Sequence, residues 1–185
     1  MVYIQKPITF QTLNNEQLQS LMAEIANVQF DRSGVVGSKK SEFRTSDSAS
    51  LPYKSDCTKF LKSVAARTFD VHEHQCEPSI HIARYKKHQQ YMPHHDSCCE
   101  ITDACSSFKK DWGDRIGTLL VYLNDDFKGG ETEFPHLNLK IQPKAGMAVA
   151  WRSSSCPDWA LHSGKPIAAG CKIILTIWIR EKKTH

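Results

Sequence analysis

A change in hydrophobic spacing near Ser79 is the feature that most restricts the fold of this 185-residue chain. Before it, apolar residues recur at helical intervals; after it, short apolar runs alternate with turn residues. Helices followed by a succession of strands predict an α+β protein whose sheet closes into a sandwich or barrel. The length suits one domain, 1–185, with helical support and a loop in 1–78 and a strand-rich core in 79–181.

Two helices are predicted in the first third of the chain. Asn14 or Asn15 can cap the first, whose apolar residues are Leu18, Leu21, Met22, Ile25 and Val28. Ser55 or Asp56 can cap the second, which has on one side Phe60, Leu61, Val64 and Ala65. The segment from Asp31 to Ser50 is rich in Ser, Gly, Lys and Arg, and its composition predicts a long, mobile loop.

Five strands are predicted over residues 80–85, 116–123, 137–141, 147–151 and 171–179. In the last of them the side chains alternate between two faces. One face is an apolar stripe that should pack against the N-terminal helices: Cys171, Ile173, Leu175, Ile177 and Ile179. The other face should point into the interior of the barrel: Lys172, Ile174, Thr176 and Trp178.

Charge and cysteine content exclude several classes of protein. The 24 Lys and Arg against 20 Asp and Glu are spread along the chain, so no nucleic-acid partner is expected. No run approaches the ~20 apolar residues that span a bilayer, and no signal peptide is recognisable, so we expect no membrane partner and a cytoplasmic location. The seven cysteines are odd in number and irregularly spaced, which predicts free thiols. Nothing in the pattern indicates an oligomeric state.

The segment Tyr91-Met92-Pro93-His94-His95-Asp96 contains the residues best suited to bind a metal. On an extended backbone His94 and Asp96 point the same way, and together they supply two of the three ligands of a facial triad. His162, in Leu161-His162-Ser163-Gly164, can supply the third. Two His and one carboxylate are the ligands of non-haem Fe(II) oxygenases. Other histidines, including His81, His88, His95 and His136, are predicted to be surface or packing groups.

Lys172 lies on the polar face of the last predicted strand. A buried ammonium needs an anionic partner, because an unpaired buried charge is costly. The distal carboxylate of a bound 2-oxo-diacid would supply one. An internal salt bridge to an acidic side chain is the alternative.

The region from Ser79 to Glu181 resembles the catalytic domain of prolyl 4-hydroxylases, a branch of the 2-oxoglutarate/Fe(II) oxygenases. The resemblance rests on motifs in the family's order. These are Tyr85, the segment from Tyr91 to Asp96, Arg115 with residues 116–125, Gly129-Gly130-Glu131-Thr132-Glu133-Phe134-Pro135, residues 143–146, residues 161–164, Lys172 and residues 178–181. Upstream, Phe43-Arg44-Thr45-Ser46 is similar to the family's Arg-Thr-Ser element.

The resemblance implies a double-stranded β-helix, or jelly roll, that uses Fe(II), 2-oxoglutarate and O2, with ascorbate as reductant. It implies iron ligation by His94, Asp96 and His162, and a 2-oxoglutarate carboxylate held by Lys172 with the hydroxyls of Tyr85 and Thr132. Arg115, Tyr91 and Trp178 match positions on the substrate side. Tyr91 and Trp178 could instead fill the core, and Arg115 could be an internal counter-ion.

The implied reaction is hydroxylation of an unactivated C–H bond, with succinate and CO2 as co-products, on a proline-containing peptide or protein. Alternatives are a free amino acid or other small molecule as substrate, a nucleic-acid dealkylase, or a non-enzymatic metal-binding module using Cys98, Cys99, Cys105 and nearby His. The Cys-Cys-x5-Cys spacing is poor for a closed tetrahedral site.

Three features depart from the family pattern. His88 stands where Gly is common, Trp151 replaces a smaller aromatic residue, and the insert from Ser97 to Gly113 resembles nothing in the family. That insert and the predicted loop from Asp31 to Ser50 have the composition of mobile loops, and both could form side walls for a peptide substrate.

Overall fold

Seven antiparallel strands form the larger sheet of the structure, a computed structural model that describes residues 4, 6–34 and 42–184. In sheet order they are β1 (Ile8–Gln11), β10 (Met147–Arg152), β6 (Arg115–Tyr122), β13 (Lys172–Arg180), β4 (Ser79–Tyr85), β3 (Asp47–Pro52) and β2 (Asp31–Arg32). The first 78 residues therefore contribute three strands to this sheet.

Six shorter strands complete the fold. Four form one sheet in the order β5 (Tyr91–His94), β11 (His162–Gly164), β8 (Thr132–Phe134) and β9 (Leu139–Ile141). Two more pair with each other, β12 (Ile167–Ala169) and β7 (Lys128–Gly129). Side chains from the large and small sheets share one apolar cluster, which includes Tyr122, Phe134, Trp151 and Ile174. Two antiparallel sheets closed on a common interior confirm the predicted jelly roll.

The helices form where the sequence predicts them. Helix α1 (Asn15–Ala26) begins after Asn14, whose side chain accepts from Gln17 N at 2.9 Å. Helix α2 (Asp56–Phe69) begins after Ser55, whose hydroxyl accepts from Thr58 N at 3.2 Å. These caps satisfy amide groups that the first helical turn leaves unpaired. A third helix, α3 (Asp103–Lys109), and three short 3₁₀ turns at Glu73–Gln75, Pro135–Leu137 and Asp158–Ala160 lie between strands.

A second apolar cluster joins the helices to the outer face of the large sheet. Leu175, Ile177 and Ile179 of β13 are fully buried in it. The helices contribute residues from both predicted apolar faces, namely Leu18, Leu21, Ile25, Leu61, Val64 and Ala65. The predicted packing of the β13 stripe against the helices is confirmed, and its opposite face is left for the interior.

One predicted loop and the start of one predicted strand are wrong. The segment from Asp31 to Ser50 is not a loop throughout, because β2 pairs with β3 and β3 pairs with β4 over Asp47–Pro52. Backbone pairing at a sheet edge overrides the Ser-rich composition there. Residues 35–41 of that predicted loop lie outside the described residues. The predicted strand 137–141 begins only at Leu139, after the 3₁₀ turn.

The prediction of free thiols is also wrong for four of the seven cysteines. Cys98 pairs with Cys105, and Cys99 pairs with Cys156, with Cα–Cα distances of 5.5 and 5.7 Å. Cys57, Cys76 and Cys171 are free. The insert from Ser97 to Gly113, predicted to be a mobile loop, thus contains α3 and one internal disulfide, and a second disulfide joins it to Cys156. Cysteine spacing cannot reveal such pairs, because the fold brings Cys156 close to Cys99 across 57 residues.

Among the described residues, no helix is long and apolar enough to cross a membrane.

Candidate active site

Two short strands bring the predicted metal ligands together. In the pairing of β5 with β11, His94 lies directly opposite His162. Asp96 follows β5 by two residues, and its carboxylate oxygens lie 3.8 Å from His94 Nε2 and 3.7 Å from His162 Nε2. The three ligand atoms all lie within 4.8 Å of one another. Metal–ligand bonds of about 2.1 Å place neighbouring ligand atoms roughly 3–4 Å apart, so the group is suited to one metal ion.

Each of these side chains is oriented by a hydrogen bond, and in both histidines that bond involves the ring nitrogen opposite the one that faces Asp96. His94 Nδ1 lies 2.8 Å from Met92 O, and His162 Nδ1 lies 3.0 Å from Ala160 O. A ring nitrogen that donates to a carbonyl leaves the opposite nitrogen, Nε2, as a lone-pair donor to metal. Thr118 of β6 donates to Asp96 Oδ2 at 2.6 Å.

Burial and mutual proximity set the charge state of the group. Burial, and then the neighbouring His162, lower the pKa of His94 well below its ordinary value. Burial alone would raise the pKa of Asp96, but His162, His94 and Arg115 outweigh it and lower that pKa. A neutral imidazole beside an ionised carboxylate is the protonation state that metal binding requires.

Lys172 reaches the same interior from β13. It is 3% exposed, and its ammonium donates to Gly130 O at 2.5 Å. Among the described side chains no carboxylate forms an ion pair with it, so the predicted alternative of an internal salt bridge finds no partner here. Burial lowers the pKa of Lys172 to about 7, and Glu131 opposes this only in part. The site therefore holds a buried amine that forms no ion pair within the described residues and whose protonated form is destabilised by burial.

The pocket between Lys172 and the metal ligands is lined by Tyr85, Thr132 and Trp151. Tyr122, which sequence reasoning missed, donates to Thr132 Oγ1 at 2.7 Å and has its ring centroid 5.2 Å from the Lys172 ammonium. Its position could have been found by alternation along β6, because Thr118, Leu120 and Tyr122 share the inward face.

A wider cleft of about 620 Å³ opens above the metal ligands and is lined by Tyr91, Arg115 and Trp178. Arg115 donates to Glu77 at 2.8 Å and has its guanidinium 3.4 Å from the centroid of the Trp178 ring. Glu77 also pairs with Arg180 at 2.9 Å. Arg115 is thus an internal counter-ion of Glu77, as one of the two predicted alternatives has it, and its side chain also lines the cleft.

Arg44 and His81 form a second polar pair in the cleft. Arg44 is 8% exposed, hydrogen-bonds to Ser46 at 3.1 Å and lies 2.5 Å from His81 Nε2. Burial and then Arg44 lower the pKa of His81 well below its ordinary value, so the ring is neutral and accepts from the guanidinium. His81, predicted to be a surface or packing group, is a half-buried residue that lines the cleft and has its ring centroid 5.1 Å from that of Trp178, so a packing role is compatible with the structure.

Two of the departures from the family pattern have a structural account. His88 adopts the left-handed conformation at φ 69, where Gly is the easier residue. Trp151 is 1% exposed and packs edge-on against His162 at 4.6 Å between ring centroids. A second close group, His95 with Cys99 and Cys156, is not a ligand set here because its two sulfurs are bonded to each other.

Comparison with known proteins agrees with this geometry. Residues 80–180 match the model of the 2OG-Fe(II) oxygenase superfamily. That match spans more than half of the chain, and the chain belongs to this superfamily. It is therefore a 2-oxoglutarate-dependent dioxygenase that uses Fe(II) and O2.

Individual relatives are similar over nearly the whole chain. One relative is a protein of Acanthamoeba polyphaga mimivirus that is provisionally named a prolyl 4-hydroxylase. It is 33% identical over 183 residues, which cover 96% of this chain and 75% of that protein. Prolyl 4-hydroxylase 1 of Arabidopsis thaliana is 29% identical over 196 residues, covering 93% and 67%. The 2-oxoglutarate complex of the collagen prolyl hydroxylase from Paramecium bursaria Chlorella virus-1 has a TM-score of 0.75 and 25% identity, covering 95% of this chain and 96% of that one.

Proposed function

We propose that this enzyme hydroxylates proline residues within extended peptide segments. Fe(II) and 2-oxoglutarate, when bound, supply the oxidising chemistry, in which one oxygen atom goes to the C–H bond and the co-substrate leaves as succinate and CO2. The observation that carries the proposal is the open cleft of about 620 Å³ directly above His94 and Asp96. Its volume is several times that of a single proline.

The iron ligands in this proposal are His94, Asp96 and His162. Support comes from the three ligand atoms within 4.8 Å of one another and from the carbonyl contacts of both histidines. Three protein ligands on one face of the iron would leave its remaining positions open for the 2-oxo acid and for oxygen. Thr118 orients the Asp96 carboxylate and keeps its Oδ2 from turning away.

The distal carboxylate of 2-oxoglutarate would bind Lys172. The ammonium is buried and lacks an acidic partner among the described residues, so a dianionic ligand would remove an unfavourable state. Tyr85 lines the same pocket, and Thr132, held by Tyr122, adds a second hydroxyl. Ascorbate would serve as reductant, as is typical of the family.

The peptide would lie in the outer cleft, with Tyr91 and Trp178 as its aromatic floor and Arg115 as a donor to peptide carbonyl groups. Tyr91 stacks on His94 with ring centroids 3.4 Å apart, so a side chain resting on Tyr91 lies next to the metal position. Proline-rich segments adopt an extended helix that docks into aromatic grooves at little entropic cost. The viral relative that is a collagen prolyl hydroxylase is consistent with such a substrate.

The experiment compares substrates of increasing length on the iron-loaded enzyme. Proline-rich peptides, the same peptides with proline replaced by alanine, and free proline are incubated with 2-oxoglutarate, and mass spectrometry measures the gain of one oxygen atom. We expect hydroxylation only of proline-containing peptides. Full activity on free proline, with no gain from a longer substrate, would assign a small-molecule substrate instead.

Metal assignment is tested by iron content and turnover together. Asp96→Ala and His162→Ala should abolish Fe(II)-dependent turnover and stoichiometric iron binding. His95→Ala is the matched control, because His95 adjoins both ligands but lies outside the group, and it should retain iron. Normal iron binding and turnover in the Asp96 or His162 variant would refute the ligand set.

A further inference from the structure

The insert from Ser97 to Gly113 lines the outer cleft together with Phe43 and Met92. Cys98, Cys99, Glu100 and Cys105 all contribute to that lining. The insert starts one residue after Asp96, so any movement of it changes the cleft immediately above the metal position. Its tip is solvent-exposed from Cys99 to Asp103.

The base of the insert is tied to the sheet by hydrogen bonds. Ser97 Oγ lies 2.6 Å from both Arg115 O and Ser153 O. Lys109 donates to Cys98 O at 2.7 Å and pairs with Asp114 at 2.9 Å. These contacts hold residues 97–98 and the end of α3, and they sit beside the Asp96 backbone.

The outer part of the insert has a different kind of attachment. Within the described residues, 99–106 make no hydrogen bond to any segment outside 97–115. The Cys98–Cys105 bond closes this part on itself, and the Cys99–Cys156 bond joins it to the segment between β10 and β11. Phe108, beneath Arg180 at 4.0 Å, anchors only the α3 end.

The partner segment is itself held in an uncommon conformation. Ser155 and Cys156 both have positive φ, 59 and 48, which non-glycine residues adopt only where their surroundings impose it. This segment leads through the turn Asp158–Ala160 to His162. One covalent bond therefore joins the chain just after Asp96 to the chain just before His162.

We infer that the Cys99–Cys156 disulfide determines peptide affinity by fixing the insert as a wall of the substrate cleft, and that its reduction opens this wall. The inference rests on the proposed peptide substrate. A dithiol reductant supplies two electrons and two protons, the S–S bond breaks into two thiols, and the reductant closes to a cyclic disulfide. Freed residues 99–106 then lose their attachment to the β10–β11 segment, whereas the hydrogen bonds of Ser97, Thr118 and Lys172 involve no sulfur.

Peptide kinetics before and after reduction test the inference. The number of alkylated cysteines, measured by mass spectrometry, should rise from three to seven on full reduction of the wild type. We expect the KM for a proline-rich peptide to rise at least fivefold and kcat to fall less than twofold, with recovery on reoxidation. The Cys99→Ser/Cys156→Ser double variant should show the same raised KM without reductant. Cys57→Ser is the matched control and should behave as wild type.

The outcomes separate this inference from the proposed function. If the oxidised wild type hydroxylates no peptide, the proposed function fails first and the inference with it. If the oxidised wild type does hydroxylate the peptide, an unchanged KM in the fully reduced protein overturns the inference alone. A parallel loss of 2-oxoglutarate affinity, measured by calorimetry on the Mn(II)-loaded protein, also overturns it, because the bond would then support the metal centre and not the wall.

Discussion

Replacement of Lys172 by alanine should weaken 2-oxoglutarate binding about ten- to a hundredfold. Lys172 is 3% exposed, and the only hydrogen-bond partner of its ammonium among the described residues is Gly130 O. A charge-assisted contact to a carboxylate contributes about 1.5–3 kcal/mol, and about 1.4 kcal/mol corresponds to tenfold in a binding constant. Lys172→Arg should also bind poorly, because a planar guanidinium does not fit a slot shaped for a compact ammonium.

The charge state of Lys172 predicts how the Kd for 2-oxoglutarate changes with pH. Burial lowers the pKa of Lys172 from 10.5 to about 7, so the ligand-free enzyme loses this charge above neutral pH. A dianionic ligand binds the protonated form and raises that pKa in the complex, so binding takes up a proton above pH 7. The Kd for 2-oxoglutarate should therefore rise by up to about tenfold per pH unit above about pH 7 and be insensitive to Lys172 titration below it.

Calorimetry on the Mn(II)-loaded protein, from about pH 6 to about pH 9, measures the Kd for 2-oxoglutarate without turnover. Lys140→Ala is the control, since Lys140 is 60% exposed and pairs with Glu133. The alanine variant at Lys172 should show weak binding without the wild-type slope. An unchanged Kd in that variant, or the same slope in both proteins, would refute the assignment.

Three further substitutions test the surroundings of the site. Thr118→Val removes the hydroxyl that donates to Asp96, and Fe(II) affinity measured by equilibrium dialysis should fall about tenfold; wild-type affinity would reduce Thr118 to a packing residue. Gly130→Ala adds a Cβ 2.5 Å from Ile167 Cδ1 at a φ of +73, and it should lower both urea stability, by about 1–3 kcal/mol, and 2-oxoglutarate affinity. Wild-type stability of the Gly130→Ala variant would contradict this prediction, because it would show that the backbone at residue 130 can relax to accept the Cβ. Leu175→Ala should lower the unfolding free energy by about 2–5 kcal/mol in urea, and a loss below about 1 kcal/mol would contradict its place in the core.

Local signals were sufficient for the long elements. The Asn14 and Ser55 caps lie next to their helices in sequence, and the alternation in β13 repeats every two residues. Short strands such as β7 and β11 escaped prediction, because two or three residues carry no period and become strands only through pairing.

The candidate metal ligands could be predicted from the sequence because two of them are only two residues apart. His94 and Asp96 share a face whatever the remaining chain does, and His162 could be matched to them by family resemblance. Tyr122 was within reach of the same reasoning along β6. The residues that hydrogen-bond to Asp96, Arg115 and Lys172 could not be predicted from the sequence. Thr118, Glu77 and Gly130 contact these side chains through long-range hydrogen bonds.

The sequence by itself determined the helices, the longer strands, the shared face of His94 and Asp96 and the place of Lys172 on the inward face of β13, because each depends on the spacing of neighbouring residues. Only the tertiary structure decided that Cys99 pairs with Cys156, that Arg115 pairs with Glu77 and also lines the cleft, and that His81 accepts from Arg44. These features depend on distances between residues 37 or more apart in the chain. Such distances are set by the closing of the two sheets, which no local pattern specifies.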